Sequence, residues 1–293
     1  MAKLGLVIVN YNDWKQTSLL IKNIKDYKVL DKIVIVDNKS TDESVRKLKK
    51  LENKKIVLIE ADSNKGYATG LNIGAKYLLK ELGKCNIIFS NTDIIIHKEE
   101  DLLKLSNDID KNIAVVGPTI VENKSLNRGW MLPEVKDEIK FNLPLISRKY
   151  RKEILYPDDY YNNVDLSLVG VVSGCIFCVD GKVLEKVGFF DEATFLYYEE
   201  QILSKKLEKI DKQVAVDNNV VVIHNHSVTI DRNINRINKY KEQRKSQRYF
   251  VSKYLEATDK ELKWLDFTNK LSLVILYIRC FFKGGLKKWK ELF

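Results

Sequence analysis

Residues 4–12 read Leu4-Gly5-Leu6-Val7-Ile8-Val9-Asn10-Tyr11-Asn12. An apolar, β-branched run without polar alternation suits a strand covered on both faces, which places it inside a sheet flanked by helices. The run stops on polar residues, and the segments that follow repeat this design. Asp13 precedes a helical pattern through Leu19, Leu20 and Ile24, and residues 32–36 form a second buried strand ending at Asp37. Ser40 is a candidate N-cap with Glu43 three positions on, the capping-box spacing. Residues 56–59 read as a third strand and 67–82 as a helix. Residues 86–89 read as a fourth strand ending at Ser90-Asn91-Thr92-Asp93, and 112–116 as a fifth. Strands and helices alternating at this spacing predict βαβ units, a mostly parallel sheet and an α/β fold.

In such sheets ligands lie beyond the carboxyl ends of the strands. Those ends carry Asn10 and Asn12, Asp37 and Asn38, Asn64, and Asn91 with Thr92 and Asp93. Each has two readings. Asn10 and Asn12 can give a donor and an acceptor to a base or ribose, or simply form a turn. Asp37 can accept from the imide N–H of a uracil or thymine, or form an Asx-turn. Gly66, Gly70 and Gly74 share a helix face. They allow close helix–sheet packing, or let a helix start at Gly66 offer free N–H groups to a diphosphate. Asp93 can hold a divalent cation on a diphosphate, or end a strand. Neither GxGxxG nor GxxxxGK[ST] follows the first strand, which argues against hydride-transfer enzymes and P-loop NTPases.

Beyond residue 118 the pattern weakens and 118–168 defy assignment. Residues 169–179 are apolar and strand-like, 199–207 read as a helix, and 214–216 and 220–223 as short strands before His224. A polar helix is expected over 232–256 and an apolar run over 271–282, shorter than the roughly 20 residues of a spanning helix. The net charge of +10 lies in the tail: residues 232–293 hold 16 Lys and Arg against 6 Asp and Glu. With Trp289 and Phe293 among its lysines, the tail suits an anionic membrane surface. It has no recognised nucleic-acid motif, so no nucleic-acid partner is expected. The opening residues lack a signal-peptide pattern. The four cysteines, including the lone Cys175/Cys178 pair, read as reduced thiols in a cytoplasmic protein.

Taken in series, these motifs resemble glycosyltransferase family 2, with a rhamnosyltransferase-like look to the whole. The series runs Val7-Ile8-Val9-Asn10-Tyr11-Asn12, Val34-Ile35-Val36-Asp37-Asn38, Asn64-Lys65-Gly66-Tyr67-Ala68 and Asn91-Thr92-Asp93. It continues with Ser173-Gly174-Cys175, Val187-Gly188-Phe189-Phe190-Asp191-Glu192, Tyr197-Tyr198-Glu199-Glu200 and Ile223-His224. The resemblance spans residues 4–230. It implies a GT-A, Rossmann-like catalytic domain over 1–230, with 231–293 as a basic helical C-terminal extension. It further implies an inverting transferase, in bacterial surface polysaccharide synthesis, that moves a sugar from a UDP- or dTDP-sugar to a glycan or lipid-linked glycan. The enzyme would be cytoplasmic and peripheral on the inner face of the membrane.

Under that resemblance Asn10, Asn12, Asp37, Asn38, Asn64, Gly66, Asn72, Asn91, Thr92 and Asp93 bind the nucleotide sugar. Asp93 and His224 hold Mg²⁺ or Mn²⁺. Glu200 is the base that deprotonates the acceptor, with Glu199 as its substitute. Asn91 stands where the family's DxD motif has its first Asp, and Glu200 where the family has Asp. A nucleotide-sugar-binding scaffold without catalysis is therefore the alternative.

Overall fold

The computed structural model describes residues 2–123, 125–143, 146–225 and 236–290. The chain forms two compact units, one of Met1–Leu132 and Tyr156–Asn233, the other of Pro133–Leu155 and Ile234–Phe293. Residues 133–155 thus leave the first unit and cluster with the C-terminal helices.

The first unit is α/β. It contains β1 (Lys3–Asn10), α1 (Trp14–Ile24), β2 (Lys32–Asp37), α2 (Ser44–Leu48), β3 (Ile56–Glu60), α3 (Tyr67–Leu82), β4 (Cys85–Ser90), β5 (Ile94–Ile95), α4 (Glu99–Asn107), β6 (Ile113–Glu122) and β7 (Ser125–Asn127). From the second unit come α5 (Val135–Lys140) and α6 (Ser147–Glu153). The chain then returns as β8 (Leu166–Val169), β9 (Ile176–Asp180), α7 (Gly181–Lys186), α8 (Glu199–Glu208) and β10 (Gln213–His224). The second unit is completed by α9 (Arg236–Lys253) and α10 (Asp259–Lys290).

The sheet order is β3-β2-β1-β4-β9-β6-β10-β5, with β7 on β6 and β8 on β10. Strands β3, β2, β1 and β4 are parallel, as their buried β-branched runs require. Register partners Asn10 and Asp37 put two polar tips side by side, and β4 ends one strand over. Alternate residues of β1 and β2 serve opposite cores. Leu4, Leu6, Ile8, Ile33 and Ile35 fill one, while Val7, Val34 and Val36 fill the other. Helix α3 lies close over β1 because Gly70 and Gly74 lack side chains; a Cβ at Gly74 would come within 2.4 Å of Val7 Cγ1.

Several expectations are corrected. Ser40 does not cap α2; its hydroxyl bonds Asp37 instead, and the helix starts at Ser44. The apolar stretch 169–179 is broken between β8 and β9, and Cys175 precedes β9 rather than lying on it. Residues 214–223 form one strand, β10, with a bulge between Asp217 and Val221. Strand β9 runs antiparallel between β4 and β6, which no local pattern announces. Helix α10 continues through Gly284 and Gly285. Cys85, Cys175 and Cys178 are buried free thiols.

In the second unit, Gln247 of α9 donates to Glu138 Oε2 of α5 at 2.7 Å and accepts from Asn142 Nδ2 at 3.0 Å. Arg248 pairs with Asp266 at 2.9 Å, tying α9 to α10, and Ser272 donates to the Asn142 carbonyl.

Candidate functional site

The tips of β1 and β2 form one hydrogen-bonded plate. Asn10, fully buried, donates to Asp37 Oδ2 at 2.7 Å and to Ser40 Oγ at 3.2 Å, and accepts from Thr17 Oγ1 at 2.7 Å. Asp37, also buried, accepts from the Ser40 amide at 2.8 Å and the Ser40 hydroxyl at 2.7 Å. Asn12 takes a left-handed backbone, φ 53°, and its side-chain oxygen accepts from the Thr41 amide at 2.8 Å. Asn38 Nδ2 donates to the Gly66 carbonyl at 2.9 Å, linking the plate to α3. Asn38 Oδ1 is a buried acceptor without a partner among the described residues.

The start of α3 is more occupied than its glycine suggests. The Gly66 amide donates to Asn64 Oδ1 at 3.2 Å and the Tyr67 amide to the Phe195 carbonyl at 2.9 Å. The N–H groups of Gly66 and Tyr67 are therefore not free for a diphosphate. Gly66 has φ +108°, and a Cβ there would meet Phe195 O at 2.4 Å, so the turn and its contact both demand glycine. Asn72 stands apart from the strand tips. Its amide donates to the Phe190 carbonyl at 2.9 Å and Glu192 Oε1 at 2.8 Å, and its oxygen accepts from the Phe190 amide at 3.0 Å. Both ends of Asn72 are engaged in clamping the Phe190 turn.

At the end of β4, the Asn91 amide donates to the Cys175 carbonyl at 2.7 Å, and Asn91 Oδ1 accepts from the Tyr67 hydroxyl at 2.9 Å. Thr92 Oγ1 donates to Asp13 Oδ2 at 3.0 Å. Asp93 Oδ2 lies 3.3 Å from His224 Nε2, and Glu122 Oε1 lies 3.6 Å from His224 Nδ1. Burial pulls the imidazole pKa down. The hydrogen bond and charge of Asp93, with the charge of Glu122, outweigh that and raise it. A cation with ligand bonds of about 2.1 Å holds neighbouring donors roughly 3 Å apart, so a carboxylate oxygen and an imidazole nitrogen at this separation fit one. Among the described residues no group of three or more His, Cys, Asp and Glu is arranged to hold a metal. The protein would then supply two donors and leave the rest to phosphate and water, the usual habit of Mg²⁺ sites.

Opposite stands the start of α8. Tyr197 and Tyr198 both have left-handed backbone, φ 73° and 72°, a strained pair for non-glycine residues. They turn the chain into Glu199-Glu200. Glu199 is buried. Burial first, then the neighbouring Glu200, push its pKa up to about 8. Glu200 is part-exposed and lies against Gly174, where a Cβ would come 1.4 Å from Glu200 Oε1. Burial raises its pKa as well.

These groups converge. The half-buried Tyr67 donates to Asn91, two residues before Asp93, and the Asn91 amide reaches the carbonyl of Cys175, whose neighbour Gly174 touches Glu200. The structure thus brings Asn91, Asp93, His224, Glu199 and Glu200 around one centre. Asn10, Asn12, Asp37 and Asn38 form the adjoining plate, with Asn64 and Gly66 between. Sequence reasoning gave no role to Tyr67, Glu122 or Gly174, and read Ser40 only as a helix cap. Tyr67 and Gly174 sat inside quoted motifs, whereas Glu122 lay in the unread segment.

The family model described as Glycosyl transferase family 2 matches residues 6–188. A low-salt glycan biosynthesis hexosyltransferase of Haloferax volcanii is 24% identical over 225 residues, covering 77% of this chain and 68% of that protein. Among solved structures, a mannosyltransferase from Pyrobaculum calidifontis in complex with GDP-Man and Mn²⁺ superposes with a TM-score of 0.60 at 12% identity. It covers 93% of this chain and 72% of that one. S. aureus TarS 1–349 in complex with UDP-GlcNAc gives 0.54 at 15% identity, covering 86% and 71%.

Proposed function

The chain belongs to glycosyltransferase family 2, and from that premise we propose that it is a metal-dependent, inverting hexosyl- or deoxyhexosyltransferase using a UDP- or dTDP-sugar. The observation that carries this reading is the convergence of the Asp93–His224 pair and Glu200 around Tyr67. The structural neighbours in complex with GDP-Man and Mn²⁺ and with UDP-GlcNAc support a nucleotide-sugar donor and a divalent cation.

The base would lie against the β1–β2 plate. Asp37 Oδ1 accepts the Ser40 amide and keeps a lone pair for an imide N–H once the turn 39–41 moves aside. Asn12, Asn38 and Asn64 border the ribose and diphosphate. Asp93 and His224 would hold Mg²⁺ or Mn²⁺, which when bound offsets charge growing on the leaving diphosphate. Glu200 takes the proton of the acceptor hydroxyl as that oxygen attacks the anomeric carbon opposite the diphosphate, so the centre inverts. Glu199, neutral below about pH 8, spares Glu200 a like charge and lets it ionise as a base. The acceptor is a glycan or lipid-linked glycan in surface polysaccharide synthesis at the inner membrane face.

Purified protein is assayed for release of nucleoside diphosphate with UDP- and dTDP-sugars, with Mn²⁺ or EDTA, alongside thermal shift. Donor binding to the folded form raises Tm. Turnover unchanged in both Asp93→Ala and Glu200→Gln defeats the mechanism.

A further inference from the structure

The second unit is the basic part of the molecule, with 21 Lys and Arg against 10 Asp and Glu. It also leaves an apolar helix face uncovered. In α10 the packed side is formed by Leu265 and Thr268, both buried, and by Ser272, bonded to Asn142. On the other side Trp264, Phe267, Leu271, Val274 and Ile278 are exposed by 40–56%. Their spacing of three, four, three and four residues sets them in one stripe, about 21 Å long at 1.5 Å per residue.

Charge borders this stripe. At 100° per residue, Lys263 and Lys270 fall on one edge of it, together with Tyr277. Lys241 of α9 holds its Nζ 5.9 Å from the Tyr277 ring centroid, and Arg248 pairs with Asp266, so α9 runs antiparallel along that same edge. Lys241, Lys245 and Arg248 recur at i, i+4 and i+7 and are exposed. Lys245 pairs with Glu242 at 2.8 Å on the same helix. An apolar stripe with aromatic residues and a basic border is the composition of a helix lying in the plane of a lipid interface. No helix among the described residues is long and apolar enough to cross a membrane.

We propose that the outer face of α10, from Trp264 to Ile278, docks on an anionic lipid bilayer, with the α9 row Lys241, Lys245 and Arg248 beside it against the headgroups. A second copy of this chain is the rival occupant. A two-fold pairing of the stripe would bring two basic rows together, and like charges disfavour it. Each lysine near an anionic surface strengthens binding roughly fivefold at low salt, and salt removes that gain. The proposal is independent of the strand-tip chemistry. It also needs nothing from Trp289 or Phe293, whose side chains lie outside those described.

The test is flotation of the full chain with vesicles of phosphatidylcholine alone or mixed equally with phosphatidylglycerol. Three proteins are compared: the native chain, Trp264→Ser/Val274→Ser, and Lys241→Gln/Lys245→Gln/Lys270→Gln. All the changed positions are exposed, and circular dichroism checks that helix content is kept. The native chain is expected to float only with the anionic vesicles and to be released by salt. The serine variant should bind at least tenfold more weakly, and the glutamine variant more than tenfold. Absence of native binding, or equal binding by the serine variant, overturns the proposal. So does a native dimer in sedimentation that the serine variant breaks, since the face would then be covered by a second copy.

Discussion

Glu199 and Glu200 are chain neighbours with different surroundings, one buried and one half-buried against Gly174. Glu200→Gln is expected to lower kcat by about 10²–10⁴-fold, the usual reach of a general base, with Tm unchanged. Glu199→Gln should keep transfer, since a neutral side chain already occupies that place at neutral pH. The two also separate by stability. In the folded protein Glu199 holds its proton up to about pH 8, against an ordinary value of 4.5. Between those values the unfolded chain has lost a proton that the native state keeps, so this group makes stability fall as pH rises through the window. Glu199→Gln should therefore melt higher than the native protein at pH 8 and alike at pH 4; equal Tm at pH 8 would refute the assignment. Gly174→Ala puts a methyl where Glu200 Oε1 lies, so kcat should drop toward that of Glu200→Gln while the donor-induced thermal shift persists.

At the scale of elements, the strand tips were legible because β-branched runs ending on Asn and Asp are local signals. Gly70 and Gly74 of α3 also announced its close seat on β1, whereas Gly66, just before the helix, meets Phe195 instead. What could not be read depends on partners far along the chain. Asn72 looked like part of a ligand motif, yet its amide closes on Phe190, 118 residues away. Asn72→Ala leaves the Phe190 amide and carbonyl without this partner and should cost about 1–3 kcal/mol in urea unfolding, with donor affinity kept in the folded fraction. The end of α4 and the bulge of β10 share a second distant pairing. The Asp108 carboxyl is set beside Asp217, whose Oδ1 accepts the Asn219 and Val220 amides at 2.7 and 3.2 Å and so shapes the bulge. Lys104 lies 3.4 Å from Asp217. Burial, then the neighbouring Asp217 carboxylate, hold the Asp108 pKa up to about 7. The unfolded carboxyl ionises near 3.8, so stability again falls as pH rises from there to 7. Asp108→Asn keeps a donor toward Asp217 at every pH and should raise the urea midpoint at pH 8. No gain over the native protein would show that Asp108 is already ionised there.

Over the whole molecule, the sequence divides its labour by charge. The first unit holds 29 Lys and Arg against 30 Asp and Glu, and the second carries the entire positive excess. That separation was visible in the tail, but the share contributed by residues 133–155 was not, because those short helices gain meaning only through Gln247 and its partners. Every proposed donor-binding and catalytic residue lies in the first unit, and the proposed lipid-facing stripe lies in the second. Two ligands should therefore leave two separate footprints in amide exchange. A nucleotide sugar with Mn²⁺ should slow exchange at residues 10–12, 37–41, 64–67, 91–93 and 197–200, because bound ligand suppresses the openings that expose those amides. Anionic vesicles should slow it in α10 and leave the strand tips alone. Donor-induced protection concentrated in α10 would mean that the sugar-nucleotide site has been placed in the wrong unit. Vesicle-induced protection at the strand tips would mean the same for the membrane face.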